Sequence, residues 1–318
     1  MTEFPRIVFF GTPEFAVCSL ESLLQGGFPV KAVVTAPDKP AGRGLKMSCS
    51  PVKDYALNHA LPVLQPVSLK DPLFQQQLHD LKPDLQIVVA FRMMPKSVWS
   101  LPPLGTFNLH ASLLPQYRGA APINRVLING ETETGVTTFF LEENIDTGKV
   151  IFRERTPVYP EETAGELHAR LMILGAELVV KSTRAIIHGE VETISQQELM
   201  VTGVELKTAP KILPEDCRIN WGKPVSEVFN FIRGLSPSPG AITELNIKDG
   251  TAMQMKILKA IPERLPADAT PGSVISDGRD FLKIACADGL ISVNRLQPSG
   301  KKPMETPEFL RGYGRLFS

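Results

Sequence analysis

The stretch "FNLHASLLPQYRGAAP", residues 107–122, opens on alternating residues and then breaks into a proline-bounded loop. Read as a strand, its period of two puts Thr106, Asn108, His110 and Ser112 on one face and Phe107, Leu109 and Ala111 on the other. Asn108 and His110 then stand roughly 6–7 Å apart along the strand. Burying such a pair without partners would cost a few kcal/mol. A strand end that faces a crevice removes that cost, and open α/β sheets bind ligands at the carboxyl ends of their strands. Hydrogen bonds to loop backbone are the other way to satisfy both side chains. A second stretch, "LEENIDTG" at 141–148, ends another strand in acidic and amide residues, and its Asp146 can reach His110 if the two strands are neighbours.

Asn, His and Asp form a coherent set for acyl transfer to an amine. The reaction needs a donor aimed at the carbonyl oxygen as it becomes an oxyanion, and the Asn108 amide can donate there. It also needs proton movement near neutral pH, which suits an imidazole at His110, with Asp146 orienting it or accepting a proton in turn. An amine that attacks directly requires no serine or cysteine nucleophile, and no metal.

The elements that must position these residues can be read from the rest of the chain. "RIVFFG" is a continuous apolar run closed by glycine, as expected of a strand buried on both faces of a parallel sheet. "TPEFAVCSLESLL" then reads as a helix, with Thr12 as N-cap and Pro13 in the first turn. "VKAVVT", "DLQIVVA", "GTFNLHA" and "GVTTFFLE" follow as strands, separated by short helical or proline-marked segments. Strand alternating with helix predicts an α/β fold, a doubly wound, mostly parallel, Rossmann-like sheet. "TAGELHARLMILGAELVVKSTRAII" reads as one long helix, with Thr163 and Glu166 at capping-box spacing. Beyond it the pattern changes to short β-like runs punctuated by Gly, Pro and Asp, which predicts a small OB-like β barrel. The division expected is a catalytic domain over 1–205 and a β-barrel domain over 206–318, linker included.

Composition is consistent with two globular domains: 318 residues, 43% of them apolar and 21% charged. The N-terminal residues do not read as a basic and apolar leader, and no apolar run approaches the roughly 18 residues of a membrane span. The expectation is a cytoplasmic protein. Its four cysteines (Cys18, Cys49, Cys217 and Cys286) are far apart, with no Cys-x-x-Cys pair, and are read as reduced thiols. Net charge is zero, but from Lys207 onward 16 Lys and Arg face 12 Asp and Glu. A basic accessory half can steer a polyanion, although so small an asymmetry is also ordinary.

With those residues in view, "NLHASLLPQYRGAAPI" followed by "GVTTFFLEENIDTG" resembles the folate-dependent formyltransferase family. The resemblance implies transfer of a formyl group from 10-formyltetrahydrofolate to an amine, with Asn108, His110 and Asp146 as the catalytic set. It implies a pterin pocket beside Ser112, Leu113, Leu114 and Pro115, with Phe91, Arg92 and Met93 of the "AFRMMP" loop lining it, and a cis Leu114–Pro115 bond. "GTPEFA" lacks the G-x-G-x-x-G of a dinucleotide site.

Over nearly the whole chain the resemblance is to the branch of the family that formylates methionyl initiator tRNA. There Phe15 would help to hold the methionyl side chain. The loop "DKPAGRGLKM", residues 38–47, would meet the acceptor end through Lys39, Arg43 and Lys46. Guanidinium suits that task, because it grips phosphate and stacks on bases. Lys301 and Lys302 of "LQPSGKKPM" would contact tRNA phosphate. That branch also implies a monomer. Three rivals keep parts of this reading: a formyltransferase for a UDP-linked amino sugar, a folate hydrolase releasing formate, and a non-catalytic RNA-binding protein on the same fold.

Overall fold

Every residue of the first apolar run is buried, in the strand β1 (Ile7–Gly11). The computed structural model describes residues 5–41, 46–246, 252–263 and 269–317. Two compact units emerge: one takes the chain up to Gly119 with Thr134–Thr156 and His168–Thr208, the other Ala120–Glu133, Pro157–Leu167 and the chain from Ala209 on.

In the first unit β1 is followed by α1 (Glu14–Gln25), β2 (Val30–Val34), the short pair β3 (Lys39–Ala41) and β4 (Lys46–Ser48), and α2 (Pro51–Asn58). Then come β5 (Val63–Leu64), α3 (Pro72–Asp80), β6 (Leu85–Val89), α4 (Lys96–Trp99) and β7 (Thr106–His110). The sheet is completed by β8 (Glu133–Phe140) and β9 (Val150–Pro157), in the order β5-β2-β1-β6-β7-β8-β9. β5, β2, β1, β6 and β7 pair in parallel, while β7 and β8 are antiparallel. The order reverses at β1, so the chain winds out on one side to β5 and on the other to β7, which is the doubly wound topology with its ligand crevice at the strand carboxyl ends. Asn108 and His110 lie at that end of β7.

The helix after β1 starts one residue later than its cap motif suggests. Pro13 occupies the N-cap in an extended conformation and no side chain caps the end, so Thr12 is not the cap. At α2 the cap is Ser50, whose Oγ accepts from Lys53 N at 3.1 Å, with Pro51 in the first turn. The "DKPAGRGLKM" segment has an antiparallel stem, Lys39 opposite Ser48 and Ala41 opposite Lys46. Asp38 secures its foot, accepting from Lys53 Nζ at 2.6 Å and Gln65 Nε2 at 2.8 Å. These bonds hold the Asp38 carboxyl below the usual carboxylate range.

The long helix α6 (Ala164–His188) carries the expected capping box: Thr163 N donates to the Glu166 carboxylate at 2.8 Å and Glu166 N donates to Thr163 Oγ1 at 3.3 Å. Gly175 lets α6 come close to β7, since a Cβ there would press on Leu109. Leu109 belongs to the face of β7 opposite His110, so this packing backs the strand without filling the crevice.

In the second unit, α5 (Pro122–Ile128) packs with α7 (Val225–Leu235), tied by Asn124 Nδ2 donating to Gly234 O at 2.7 Å. The strands β10 (Ala241–Asn246), β11 (Ala252–Glu263), β12 (Val274–Ser276), β13 (Leu282–Ala285), β14 (Leu290–Pro298) and β15 (Met304–Glu305) form an antiparallel half-barrel sheet. It packs against α7, whose Val225, Val228, Ile232 and Leu235 share a core with Leu245, Ile257, Ile284 and Ile291. A final helix, α8 (Thr306–Tyr313), adds Phe309 and Leu310 to the same core.

Candidate active site

His110 ends β7 and is 6% exposed. Its Nε2 lies 2.8 Å from Tyr117 O. A carbonyl oxygen only accepts, so Nε2 carries the proton and Nδ1 is left as the nitrogen that can take one up. Nδ1 faces Asp146 Oδ2 at 3.9 Å, an ion pair when the imidazole is protonated and too long for a direct hydrogen bond. Asn108 is half-buried, and among the described residues its side chain makes no hydrogen bond, so its amide donors are open to a ligand. Backbone register places it opposite Val88 of β6 and Phe139 of β8.

The meeting of Asp146 with His110 is not a simple consequence of neighbouring strands. β8 runs antiparallel to β7, with Thr137 opposite His110 and Phe140 opposite Phe107, so the chain leaves β8 at the wrong end of β7. The segment 141–148 has to fold back. Gly148 makes the return possible, because a Cβ at that position would collide with Phe140 O. Asp146 takes a left-handed backbone conformation, φ 53°, and its Oδ2 accepts from Gly119 N at 3.0 Å.

Two residues that sequence reasoning missed shape the loop after β7. Thr137, fully buried, donates from Oγ1 to Ser112 O at 2.7 Å and accepts from Leu114 N at 3.1 Å. Tyr117 adopts φ 60°, and this conformation turns its carbonyl to His110. Both lie within the quoted stretches, but residue type does not reveal their roles, since Tyr117 acts through its backbone carbonyl and Thr137 through bonds to backbone groups 23 and 25 residues away.

The remaining predicted residues divide. Leu114–Pro115 is cis. Ser112, Leu114 and Pro115 are buried while Leu113 is half-buried. Ser112 Oγ donates to Gln116 O at 2.7 Å, so its hydroxyl is committed to closing the loop. Phe91 packs edge-on against Phe10 with ring centroids 5.6 Å apart, as part of the core. Arg92 donates to the carbonyls of Pro66 and Val67. Met93 is 73% exposed. Phe15 is buried and meets His168 edge-on, centroids 5.1 Å apart. Lys39 is exposed at the start of β3, Lys46 begins β4, and Arg43 lies outside the described residues. Lys301 and Lys302 are exposed on a turn closed by Lys301 N donating to Pro298 O at 3.0 Å.

A strand-end amide, an imidazole and a facing carboxylate, set at the carboxyl end of a doubly wound sheet, have the residue chemistry that acyl-type group transfer uses. The chain belongs to the formyl transferase family: residues 5–183 match the family described as formyl transferase and residues 211–314 the formyl transferase C-terminal domain. It is 55% identical over 310 residues to a methionyl-tRNA formyltransferase of Bacteroides fragilis, covering 97% of this chain and 95% of the relative. The enzyme of that name from Porphyromonas gingivalis W83 is 48% identical over 310 residues, with the same coverage. Among solved structures, HypX from Aquifex aeolicus aligns with a TM-score of 0.66 at 19% identity, over 99% of this chain and 49% of that one. The sugar 3N-formyl transferase WlaRD aligns with a TM-score of 0.63 at 21% identity, over 94% of this chain and all of the other. Those two likenesses concern the fold. Among the described residues no helix is long and apolar enough to cross a membrane.

Proposed function

We propose that this enzyme transfers the formyl group of 10-formyltetrahydrofolate to the α-amino group of methionyl initiator tRNA, giving N-formylmethionyl-tRNA for translation initiation. The observation that carries the chemistry is the fold-back that sets Asp146 Oδ2 3.9 Å from His110 Nδ1, on the strand that also presents the Asn108 amide. The acceptor is supported by near full-length relatives named methionyl-tRNA formyltransferase at 48–55% identity. A UDP-linked amino sugar is the alternative acceptor, and the sugar transferase of similar fold stands at only 21% identity.

The unprotonated amine attacks the formyl carbon, and Asn108 donates to the oxygen as negative charge builds on it. His110 takes up the amine proton at Nδ1, because Nε2 is held by Tyr117 O, and Asp146 stabilises the imidazolium that results; as the bond from the formyl carbon to N10 of the folate breaks, that proton passes to N10 and tetrahydrofolate leaves. These steps need no metal. Residues 1–205 carry this chemistry, with Ser112 to Pro115 and Phe91 to Met93 shaping the folate pocket, the first four chiefly through backbone. Phe15 borders the methionyl side chain. Lys39, Arg43 and Lys46 meet the acceptor end, and residues 206–318 hold the tRNA, with Lys301 and Lys302 on its phosphates. The protein works as a monomer in the cytoplasm.

His110→Ala tests the reading against a purely RNA-binding role. Turnover should be abolished while affinity for methionyl initiator tRNA stays unchanged; full turnover in a folded variant would contradict it.

A further inference from the structure

Gln196 lies 48 residues beyond Gly148 and outside every motif considered above. Its side chain is 3% exposed and sits under the fold-back. Nε2 donates to Asp146 O at 2.9 Å and to Gly148 O at 2.9 Å. Oε1 accepts from Arg118 Nε at 3.0 Å and Arg118 Nη2 at 2.7 Å. Both donors and both lone pairs of the amide are therefore used, which fixes its orientation without ambiguity. The backbone that carries it is itself fastened to β9, Val150 N donating to Ile194 O at 2.9 Å and Ile194 N to Val150 O at 3.0 Å.

The two segments that Gln196 joins are the two that define the site. Arg118 stands between Tyr117, whose carbonyl holds His110 Nε2, and Gly119, whose N–H holds the Asp146 carboxylate. Residues 146–148 form the turn that carries that carboxylate. The turn is held away from its strand in a left-handed conformation at Asp146, so something outside it must hold it there. A glutamine is suited to the task, since one end of its amide donates twice and the other accepts twice. Glutamate keeps the guanidinium but offers nothing to the carbonyls, and methionine keeps only the volume.

We propose that Gln196 is a positioning residue for formyl transfer: by bracing the 146–148 turn against Arg118 it sets where the Asp146 carboxylate stands relative to His110. The inference rests on the role given to Asp146 above. A displacement of about 1 Å at a reacting group can cost on the order of a hundredfold in rate, so a brace that touches neither substrate can still control turnover.

The test uses the full-length protein with 10-formyltetrahydrofolate and methionyl initiator tRNA, comparing Gln196→Glu, Gln196→Met and Asp146→Ala, alone and combined, by single-turnover rates, KM and Tm. Each Gln196 variant should lose roughly 10- to 100-fold in rate, with both KM values changing less than about twofold. In the Asp146→Ala background the same substitutions should cost less than about twofold, because a residue acting through Asp146 has nothing left to position. A full further loss in that background would assign Gln196 a merely structural role and overturn the inference, as would an unchanged rate in either folded variant. Full activity of Asp146→Ala alone would overturn the mechanistic reading, and this inference with it. If Gln196→Met lowers Tm below the assay temperature, Gln196→Glu, which retains the Arg118 pairing, decides the outcome.

Discussion

Asn108 stands half-buried at a strand end, its amide making no hydrogen bond among the described residues, beside an imidazole whose Nε2 is committed to a carbonyl. If its task is to donate to the developing oxyanion, Asn108→Ala should lower kcat by about two orders of magnitude or more, with a smaller change in affinity for the formyl donor. Unchanged kcat in a folded variant would refute the role. Asn108 and His110 stand out in the sequence by their types and two-residue spacing, and Asp146 by its place in the turn after the next strand; that these three approach one another is what the structure adds. Gln196 and Thr137 do not stand out, because they act on backbone groups remote in sequence and no spacing rule connects position 196 to position 146, and Tyr117 does not because it acts through its own carbonyl rather than its side chain. Ser112 shows the converse. Its place on the reactive face was readable, but its hydroxyl is spent on Gln116 O.

The elements follow the sequence where periodicity is strong. The buried run of β1, the alternation of β7 and the capping box of α6 were all readable. The amphipathic spacing of Val225, Val228, Ile232 and Leu235 marks α7 equally well, but it lay among signals for β structure and was missed. What no periodicity could show is the fold-back after β8, since the register alone carries the chain away from His110. Gly148→Ala tests that element. A methyl group directed at Phe140 O must displace the turn, so both Tm and kcat should fall, whereas wild-type kcat would separate the turn from the chemistry.

Helix α6 also brings His168 against Phe15, and burial lowers this imidazole below its ordinary 6.5, with Glu14 opposing the shift. The unfolded chain then binds a proton near pH 6.5 that the folded chain refuses. Stability from this group is present above that pH and is lost as pH falls through the lowered folded value. Urea midpoints measured between about pH 8 and 5 should decline less for His168→Asn than for the parent. Equal declines would show that His168 does not contribute.

At the scale of the whole molecule, charge is divided between an acidic first part and a basic remainder, and Lys301 and Lys302 stand exposed on a closed turn. If they neutralise tRNA phosphates, replacing both with Ala should reduce the slope of log affinity against log salt by roughly one for each phosphate no longer neutralised, equally for initiator and elongator tRNA. An unchanged slope would make the turn a merely soluble feature. That an α/β part is followed by a β part was foreseeable from the change of pattern along the chain. The interleaving of 120–133 and 157–167 into the second unit was not, because short helices and turns carry no sign of which core they join.

Whether this site formylates methionyl initiator tRNA is tested most directly by an acceptor competition. Methionyl initiator tRNA, methionyl elongator tRNA, a UDP-linked amino sugar and water would be offered in parallel with 10-formyltetrahydrofolate. Preferential formylation of the initiator is the expected result. Transfer only to the sugar, or release of formate alone, would contradict the tRNA assignment while leaving Asn108, His110 and Asp146 as the groups that move the formyl unit.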